Sequence, residues 1–231
     1  MGFLSNLFSK KLPPVDMDLI QVDMHSHLIP GIDDGAKTME DSVEMIKRFA
    51  KLGYKKIITT PHVMSDFYRN TPEIILSGLE DVRNELKRQE VEIELFAAAE
   101  YYLDYEFIEK VKDKSVLSFS ENYVLFELSF SAEQPNVDEA IFELISNGYK
   151  PVLAHVERYS FYQKRLDRIQ ELRDKGALLQ MNINSLSGHY GPDVKRLAER
   201  LVDLKLIDLI SSDCHRIDHL DTLEVTLKNP Y

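Results

Sequence analysis

The chain has no tryptophan, one cysteine among 231 residues, and no apolar run long enough to cross a bilayer. Each absence excludes something. A lone Cys214 forms no intramolecular disulfide, so stability has to come from a packed core and nothing asks for an oxidising compartment. The thiol is not a phosphatase nucleophile either, because a cysteine-dependent phosphate cradle needs arginine six residues further on, and that position is Leu220. Neither a Walker-type phosphate loop nor a Gly-x-Gly-x-x-Gly turn is present, so nucleotide-dependent transfer has no motif to support it. Basic residues are in the minority, 28 Lys and Arg against 39 Asp and Glu. The resulting charge of −11 argues against a nucleic-acid partner, since phosphate backbones reward positive surfaces.

The opening MGFLSNLFSKKLPP is too short and interrupted in its apolar residues for a signal peptide. Asn6 also stands where a myristoylation pattern has Ser or Thr. Residues 1–17 are read as an N-terminal arm, in front of a single domain of residues 18–231. The expected location is the cytoplasm, with the arm a route to peripheral contact with the inner face of the cytoplasmic membrane.

What is present is alternation. Seven short apolar runs, Leu19 to Met24, Lys56 to Thr60, Ile93 to Ala99, Tyr123 to Leu128, Pro151 to Ala154, Ala177 to Ile183 and Leu206 to Ser211, read as strands. Between them lie stretches of helical period: Thr38 to Leu52, Thr71 to Glu90, Leu103 to Lys112, Val137 to Asn147, Ser160 to Lys175 and Asp193 to Leu204. A last short helix and tail are expected from His219 to Tyr231. Gly53, Gly148 and Gly176 each follow a periodic stretch, where a left-handed cap favours glycine. The pattern predicts an α/β fold with a parallel sheet, in one domain of barrel-like (β/α) architecture.

The chemistry sits at the C-terminal ends of those runs. Strand one leads into His25 and His27, strand two into His62, strand three into Glu100; strand four carries Glu127, strand five ends at His155, and strand seven at Asp213 and His215. In a barrel this is the face where active sites are built, so residues far apart in sequence become neighbours. Neutral imidazoles and carboxylates together suit divalent transition metals. Arg158, three residues after His155, can fork two hydrogen bonds to a phosphate; Arg69 and Arg216 are further loop arginines with the same capacity.

The ordered motifs Asp23-x-His25-Ser26-His27, Ile32-Asp33-Asp34-Gly35, Thr60-Pro61-His62, Ala99-Glu100-Tyr101-Tyr102, Phe126-Glu127-Leu128-Ser129, His155-Val156-Glu157-Arg158-Tyr159 and Ser212-Asp213-Cys214-His215 resemble the polymerase and histidinol phosphatase (PHP) superfamily. Within it, they are most similar to the CpsB/YwqE-type protein-tyrosine phosphatases of bacterial capsule and exopolysaccharide synthesis. The resemblance implies a distorted (β/α)7 TIM-like barrel and two or three divalent ions, Mn the first choice and Fe, Zn, Mg or Co the alternatives. It implies that His25, His27, Glu100 and Asp213 hold one ion, that Glu100, Glu127 and His155 hold a second, and that Asp34, His62 and His215 hold a third. Arg158 matches the arginine that binds substrate phosphate, with His215 and Asp213 also placed in the catalytic set. The implied partner is a phosphotyrosine-bearing bacterial tyrosine kinase; histidinol phosphate hydrolysis, exonuclease action and a non-enzymatic scaffold are the competing readings. One departure stands out: relatives carry a second arginine in an Asn-x-x-x-Arg stretch beyond Ser-Asp-x-His. Here the stretch reads Arg216-Ile217-Asp218-His219-Leu220, so Arg216 or His219 takes its place or the phosphate is held differently.

Overall fold

A computed structural model describes residues 17–229. The N-terminal arm and the end of the expected C-terminal tail therefore lie outside the described residues, apart from Met17. From there the chain alternates between parallel strands and helices. After a 3-10 turn at Met17–Leu19 come β1 (Val22–Asp23), α1 (Met39–Lys51), β2 (Lys56–Thr59), β3 (His62–Val63), α2 (Pro72–Arg88), β4 (Glu94–Ala97), β5 (Glu100–Tyr102) and α3 (Tyr105–Lys112). The second half supplies β6 (Tyr123–Glu127), α4 (Val137–Ser146), β7 (Lys150–Leu153), α5 (Leu166–Asp174), β8 (Leu178–Asn182), α6 (Pro192–Asp203), β9 (Leu209–Ser211) and α7 (Ile217–Thr226).

Two parallel ladders result, ordered β1-β2-β4 and β3-β5-β6-β7-β8-β9. Two of the expected strands, β2 and β4, are thus each followed by a short strand that the apolar runs did not include, β3 and β5. Pro61 separates β2 from β3, because it brings no N–H to a ladder; its carbonyl instead accepts from Glu100 N–H at 3.1 Å. The sheet curls far enough to bring the chain after β9 back beside the chain after β1. Ser26 and Cys214 form an isolated parallel bridge, flanked by His27 N–H on the Cys214 carbonyl (2.8 Å) and Asp213 N–H on the His25 carbonyl (2.9 Å).

Side chains alternate between the two faces of this sheet, as the two-residue strand period demands. Ile57, Val124, Phe126 and Leu153 join the large core shared with the helices. Their neighbours Ile58, Leu125, Val152 and Ala154 form a second apolar cluster with Met24, Ala98 and Phe119 on the opposite face. Parallel strands buried on both faces read as nearly continuous apolar runs, which is why the runs were visible in sequence.

Helix boundaries follow local chemistry. Thr38 and Asp41 make a reciprocal capping box at α1, Thr71 caps α2 ahead of Pro72, and the Asp104 carboxylate accepts Phe107 N–H to start α3. Gly53, Gly148 and Gly176 adopt φ of 101°, 88° and 103°, the left-handed conformation expected of them. Several boundaries differ from expectation, among them β9, which starts at Leu209 rather than Leu206. Ser160 to Lys175 is a 3-10 turn (Ser160–Tyr162) followed by α5, a bend that lets Tyr159 and Tyr162 bury completely. The first run forms a ladder only at Val22 and Asp23, because Gln21 turns through φ 62° before it. The last helix begins at Ile217, two residues ahead of the expected start.

One buried hydroxyl ties β2 to the chain leaving β1: Thr59 Oγ1 donates to the Ser26 carbonyl and accepts from Leu28 N–H, both at 2.9 Å. Thr59→Val preserves shape and orphans that N–H. It should cost about 1–3 kcal/mol of unfolding free energy with an unchanged denaturant slope, read by urea titration.

Candidate metal centre

His25 and His27 leave β1 two residues apart and so point the same way, with their Nε2 atoms 3.3 Å from each other. Both nitrogens face Glu100 Oε2 at 3.2 and 3.5 Å and Asp213 Oδ1 at 3.4 and 3.6 Å. Four donors placed tetrahedrally at about 2.05 Å from an ion lie roughly 3.3 Å apart. Five of the six edges of that tetrahedron are therefore present in the side-chain positions themselves.

Two further groupings share its members. Glu100 Oε1 lies 3.1 Å from His155 Nε2, which is 3.8 Å from Glu127 Oε2. His62 turns Nδ1 to Glu100 Oε2 (3.1 Å) and Glu127 Oε1 (3.3 Å), and Nε2 to Asp34 Oδ1 (3.4 Å). His215 Nε2 is 3.5 Å from the same Asp34 oxygen, and its ring stacks on His27 at 3.8 Å. All nine residues expected as ligands thus converge. The grouping differs in two respects: His62 faces Glu100 and Glu127 as well as Asp34, and His27 belongs with Asp34, His62 and His215 too.

The donor set fits divalent cations, and the reason is electrostatic. Glu100 Oε2, Asp213 Oδ1 and His62 Nδ1 are buried without a hydrogen bond, although each lies within 3.6 Å of a complementary atom. Their geometry converges on points between the side chains rather than pairing them. With no cation to share, protons take over. Burial works against charging His62, but the Glu100 and Glu127 carboxylates together outweigh it and push the imidazole up to about 10. Burial likewise opposes protonation of His27, yet Asp33 and its neighbours raise it well above the ordinary histidine value. Burial would raise Glu100 and Asp213; the surrounding imidazoles, His25 foremost, hold both well below the usual carboxylate range.

Orientation comes from a surrounding layer that motif reading did not single out. Asp33 Oδ2 meets His27 Nδ1 at 2.8 Å and accepts His62 N–H at 3.1 Å, while its other oxygen accepts Gly35 N–H. Gln180 Oε1 accepts His155 N–H (2.8 Å) and faces His25 Nδ1 (3.3 Å); its amide donates to Asn182 Oδ1, and Asn182 Nδ2 donates to Asp213 Oδ2 at 2.7 Å. Such partners fix which imidazole nitrogen faces a metal. The signal was there in strand eight, where Gln180 and Asn182 put two amides at alternate positions of an otherwise apolar run. Backbone strain marks the site too: His155 and Asp213 have φ of 35° and 51°, a left-handed conformation costing about 1–3 kcal/mol each away from glycine.

A cavity of about 450 Å³ opens over the cluster, lined among others by Tyr68, Tyr102, Phe130, Arg158, His189, Tyr190, Arg216 and His219. Arg158 donates from Nη1 to Asp213 Oδ2 at 2.8 Å. Arg216 reaches the rim but is exposed and paired with Asp218. Arg69 is also exposed, donates to the Ser65 carbonyl and is not among the cavity-lining residues. His219 lines the cavity and is pushed down to about 4 by burial, so it stays uncharged near neutrality and is no substitute for an arginine.

A curled parallel sheet with five imidazoles and four carboxylates gathered near its strand ends defines an α/β protein whose side chains are able to hold divalent metal. Residues 21–221 match the sequence model of the family described as "Capsular polysaccharide synthesis, CpsB/CapC", and the chain belongs to that family. The tyrosine-protein phosphatase YwqE of Bacillus subtilis is 29% identical over 197 residues, spanning 85% of this chain and 78% of that protein. The tyrosine-protein phosphatase CpsB of Streptococcus pneumoniae is 26% identical over 203 residues, spanning 85% and 84%. A solved structure from work on YwqE from Bacillus subtilis and CpsB from Streptococcus pneumoniae, described as unique metal-dependent tyrosine phosphatases, superposes with a TM-score of 0.83. It is 28% identical and covers 91% of this chain and 87% of its own. The histidinol phosphate phosphatase of Lactococcus lactis shares the fold at a TM-score of 0.56 and 13% identity, covering 90% and 92%. The family resemblance read from the motifs is borne out.

Two outcomes are expected from this geometry. Because His62 is raised from 6.5 to about 10, its contribution to metal-free stability is complete below pH 6.5 and is lost as pH rises towards 10. Chelated protein should therefore unfold at a lower temperature at pH 9.5 than at pH 7. Divalent metal should abolish that loss and release more than one proton on binding at pH 8, counted by calorimetry in buffers of different ionisation heat. Separately, a Cβ at Gly35 would collide with the His27 carbonyl and side chain. Gly35→Ala should displace Asp34 from His62 and weaken metal retention at least tenfold in competition with a chelator.

Proposed function

We propose that the chain is a metal-dependent protein-tyrosine phosphatase acting on a bacterial tyrosine kinase that controls capsular or exopolysaccharide synthesis. The observation that carries this reading is the buried, hydrogen-bond-deficient donor cluster lying directly under a cavity with a fixed guanidinium. Family membership and the named activity of the relatives support it. The strand order and the Ser26–Cys214 bridge support reading the curled sheet as a distorted (β/α)7 barrel.

In the proposed arrangement His25, His27, Glu100 and Asp213 hold one ion, and Glu100, Glu127 and His155 a second, with His62 Nδ1 beside it. Asp34, His62 and His215 hold a third. Mn is the first choice; Fe, Zn, Co and Mg are the alternatives, and the number of histidines makes Mg the least suited. Ions held there supply Lewis-acid pull on phosphoryl oxygens and lower the pKa of a water towards neutrality.

The chain's own residues do the rest. Arg158 neutralises charge on the phosphoryl group from the cavity wall. Asp213 Oδ2 is occupied by Asn182 and Arg158, which reserves Oδ1 for the cluster. The Nδ1 of His215 faces the Asp213 carbonyl at 3.0 Å and leaves Nε2 towards Asp34, which supports a ligand role over a proton donor's. A tyrosyl leaving group has a pKa of about 10, so it departs with little acid assistance. Burial pushes the Cys214 thiol well above its ordinary value, which removes it as a nucleophile.

Among the described residues no helix is long and apolar enough to cross a membrane. A cytoplasmic enzyme meeting its kinase at the membrane, through residues 1–17 or otherwise, fits the proposed substrate. Phosphate release should be followed from a phosphotyrosine peptide, histidinol phosphate and single-stranded DNA after chelation and after re-addition of each metal. Turnover of the peptide alone, lost on chelation and restored by Mn, is expected. Arg158→Gln should lower kcat/KM about 100-fold or more. Peptide turnover that survives in His155→Ala would overturn the site.

A further inference from the structure

The cavity wall holds one feature that metal ligation does not require. The Arg158 guanidinium carbon lies 4.3 Å from the centre of the Tyr190 ring and 4.9 Å from that of Phe130. The two rings come from distant parts of the chain, Phe130 from the loop after β6 and Tyr190 from the loop before α6, and they close on Arg158 from the turn after β7. Each ring is itself braced. Phe130 stacks on His155 (5.6 Å, 20°) and leans on Tyr159 (5.4 Å), while Tyr190 meets His189 edge-on at 4.7 Å. Phe130 is 45% exposed, so burial of its own surface does not account for its position; what it covers is the arginine and a candidate ligand.

We propose that Phe130 and Tyr190 form an aromatic slot that holds the Arg158 guanidinium in its phosphate-binding orientation, and that both are positioning residues for substrate phosphate. The inference rests on the phosphatase reading and deepens it. Arginine side chains have about 2 kcal/mol of rotamer entropy to lose on binding an anion. Stacking on two rings and the Nη1 bond to Asp213 take up that loss in advance, leaving the other guanidinium N–H groups for a phosphate. The rings also set the distance of the cation from Asp213, so that it neither withdraws into solvent nor drops onto Oδ1. With Arg69 outside the cavity and Arg216 solvated at its rim, orientation of this single guanidinium decides how the phosphate is held.

The test uses full-length, metal-loaded protein and inorganic phosphate as the probe, with binding measured by titration calorimetry. Phe130→Leu and Tyr190→Leu keep apolar bulk and remove the ring; Tyr190→Phe keeps it. Each Leu variant should weaken phosphate binding about 3- to 30-fold with metal content unchanged, and Tyr190→Phe should bind more tightly than Tyr190→Leu. In an Arg158→Gln background the same Leu substitutions should have no further effect. Wild-type phosphate affinity in both Leu variants, or an equal loss with and without Arg158, would overturn the slot. The two readings fail separately. Ring- and Arg158-dependent phosphate binding without phosphotyrosine turnover sinks the function and leaves the slot standing; turnover with ring-independent affinity does the reverse.

Discussion

Everything in this molecule is arranged around one carboxylate. Glu100 is completely buried and faces four imidazoles from three separate segments: His25, His27 and His62 through Oε2, at 3.2, 3.5 and 3.1 Å, and His155 through Oε1, at 3.1 Å. An ionised carboxylate taken out of water costs several kcal/mol unless positive charge or good hydrogen bonds offset it. Neutral imidazoles presenting lone pairs would add to that cost. The arrangement is tolerable only with cations between the groups, whether protons on the histidines or metal ions. The fold therefore carries an electrostatic demand that its own side chains do not meet as neutral groups.

The short strands make sense in that light. The β3–β5 ladder sets His62 directly opposite Glu100, and the β5–β6 ladder sets Tyr102 opposite Glu127. Longer uninterrupted strands would keep alternating apolar residues inward; the breaks at Thr60–Pro61 and Ala98–Ala99 let each segment restart with a polar residue at the level of the cluster. Left-handed His155 and Asp213 do the same at the ends of β7 and β9, turning the chain sharply so that the side chain reaches inward. The Ser26–Cys214 bridge then locks the first and last of these ends together.

This explains what the sequence disclosed and what it did not. The candidate ligands other than Asp34 stood out because each is a His, Asp or Glu at or just past the end of an apolar run, and such runs are continuous in a sheet buried on both faces. Asp33, Gln180 and Asn182 act at one remove, through hydrogen bonds to candidate ligands that lie from 6 to 155 residues away; the alternating amides of strand eight mark a polar face without naming its partners. The dual reach of His62 needed coordinates, since a motif assigns a residue to one ion while an imidazole has two nitrogens. Exposure decided among the arginines: Arg69 and Arg216 sit in loops at the expected face, but only Arg158 is held by partners inside the cavity. Strand boundaries blurred where left-handed Gln21 shortened an expected strand and where Pro61 set apart a short strand beyond the end of another.

That Arg158 alone of the three loop arginines is fixed inside the cavity weighs less than it first suggests. Asp34, Glu100, Glu127 and Asp213 together bring four negative charges, which two divalent ions would neutralise and three would reverse to an excess of two positive charges. Attraction of a phosphate dianion in the proposed enzyme is thus governed by the ions, whose field acts at short range in a poorly screened cavity. A guanidinium added to such a site contributes direction more than charge, through its planar fork of donors. Held by two aromatic rings and an aspartate, Arg158 supplies that direction, so His219 can remain a neutral wall of the cavity and Arg216 a solvated residue at its rim.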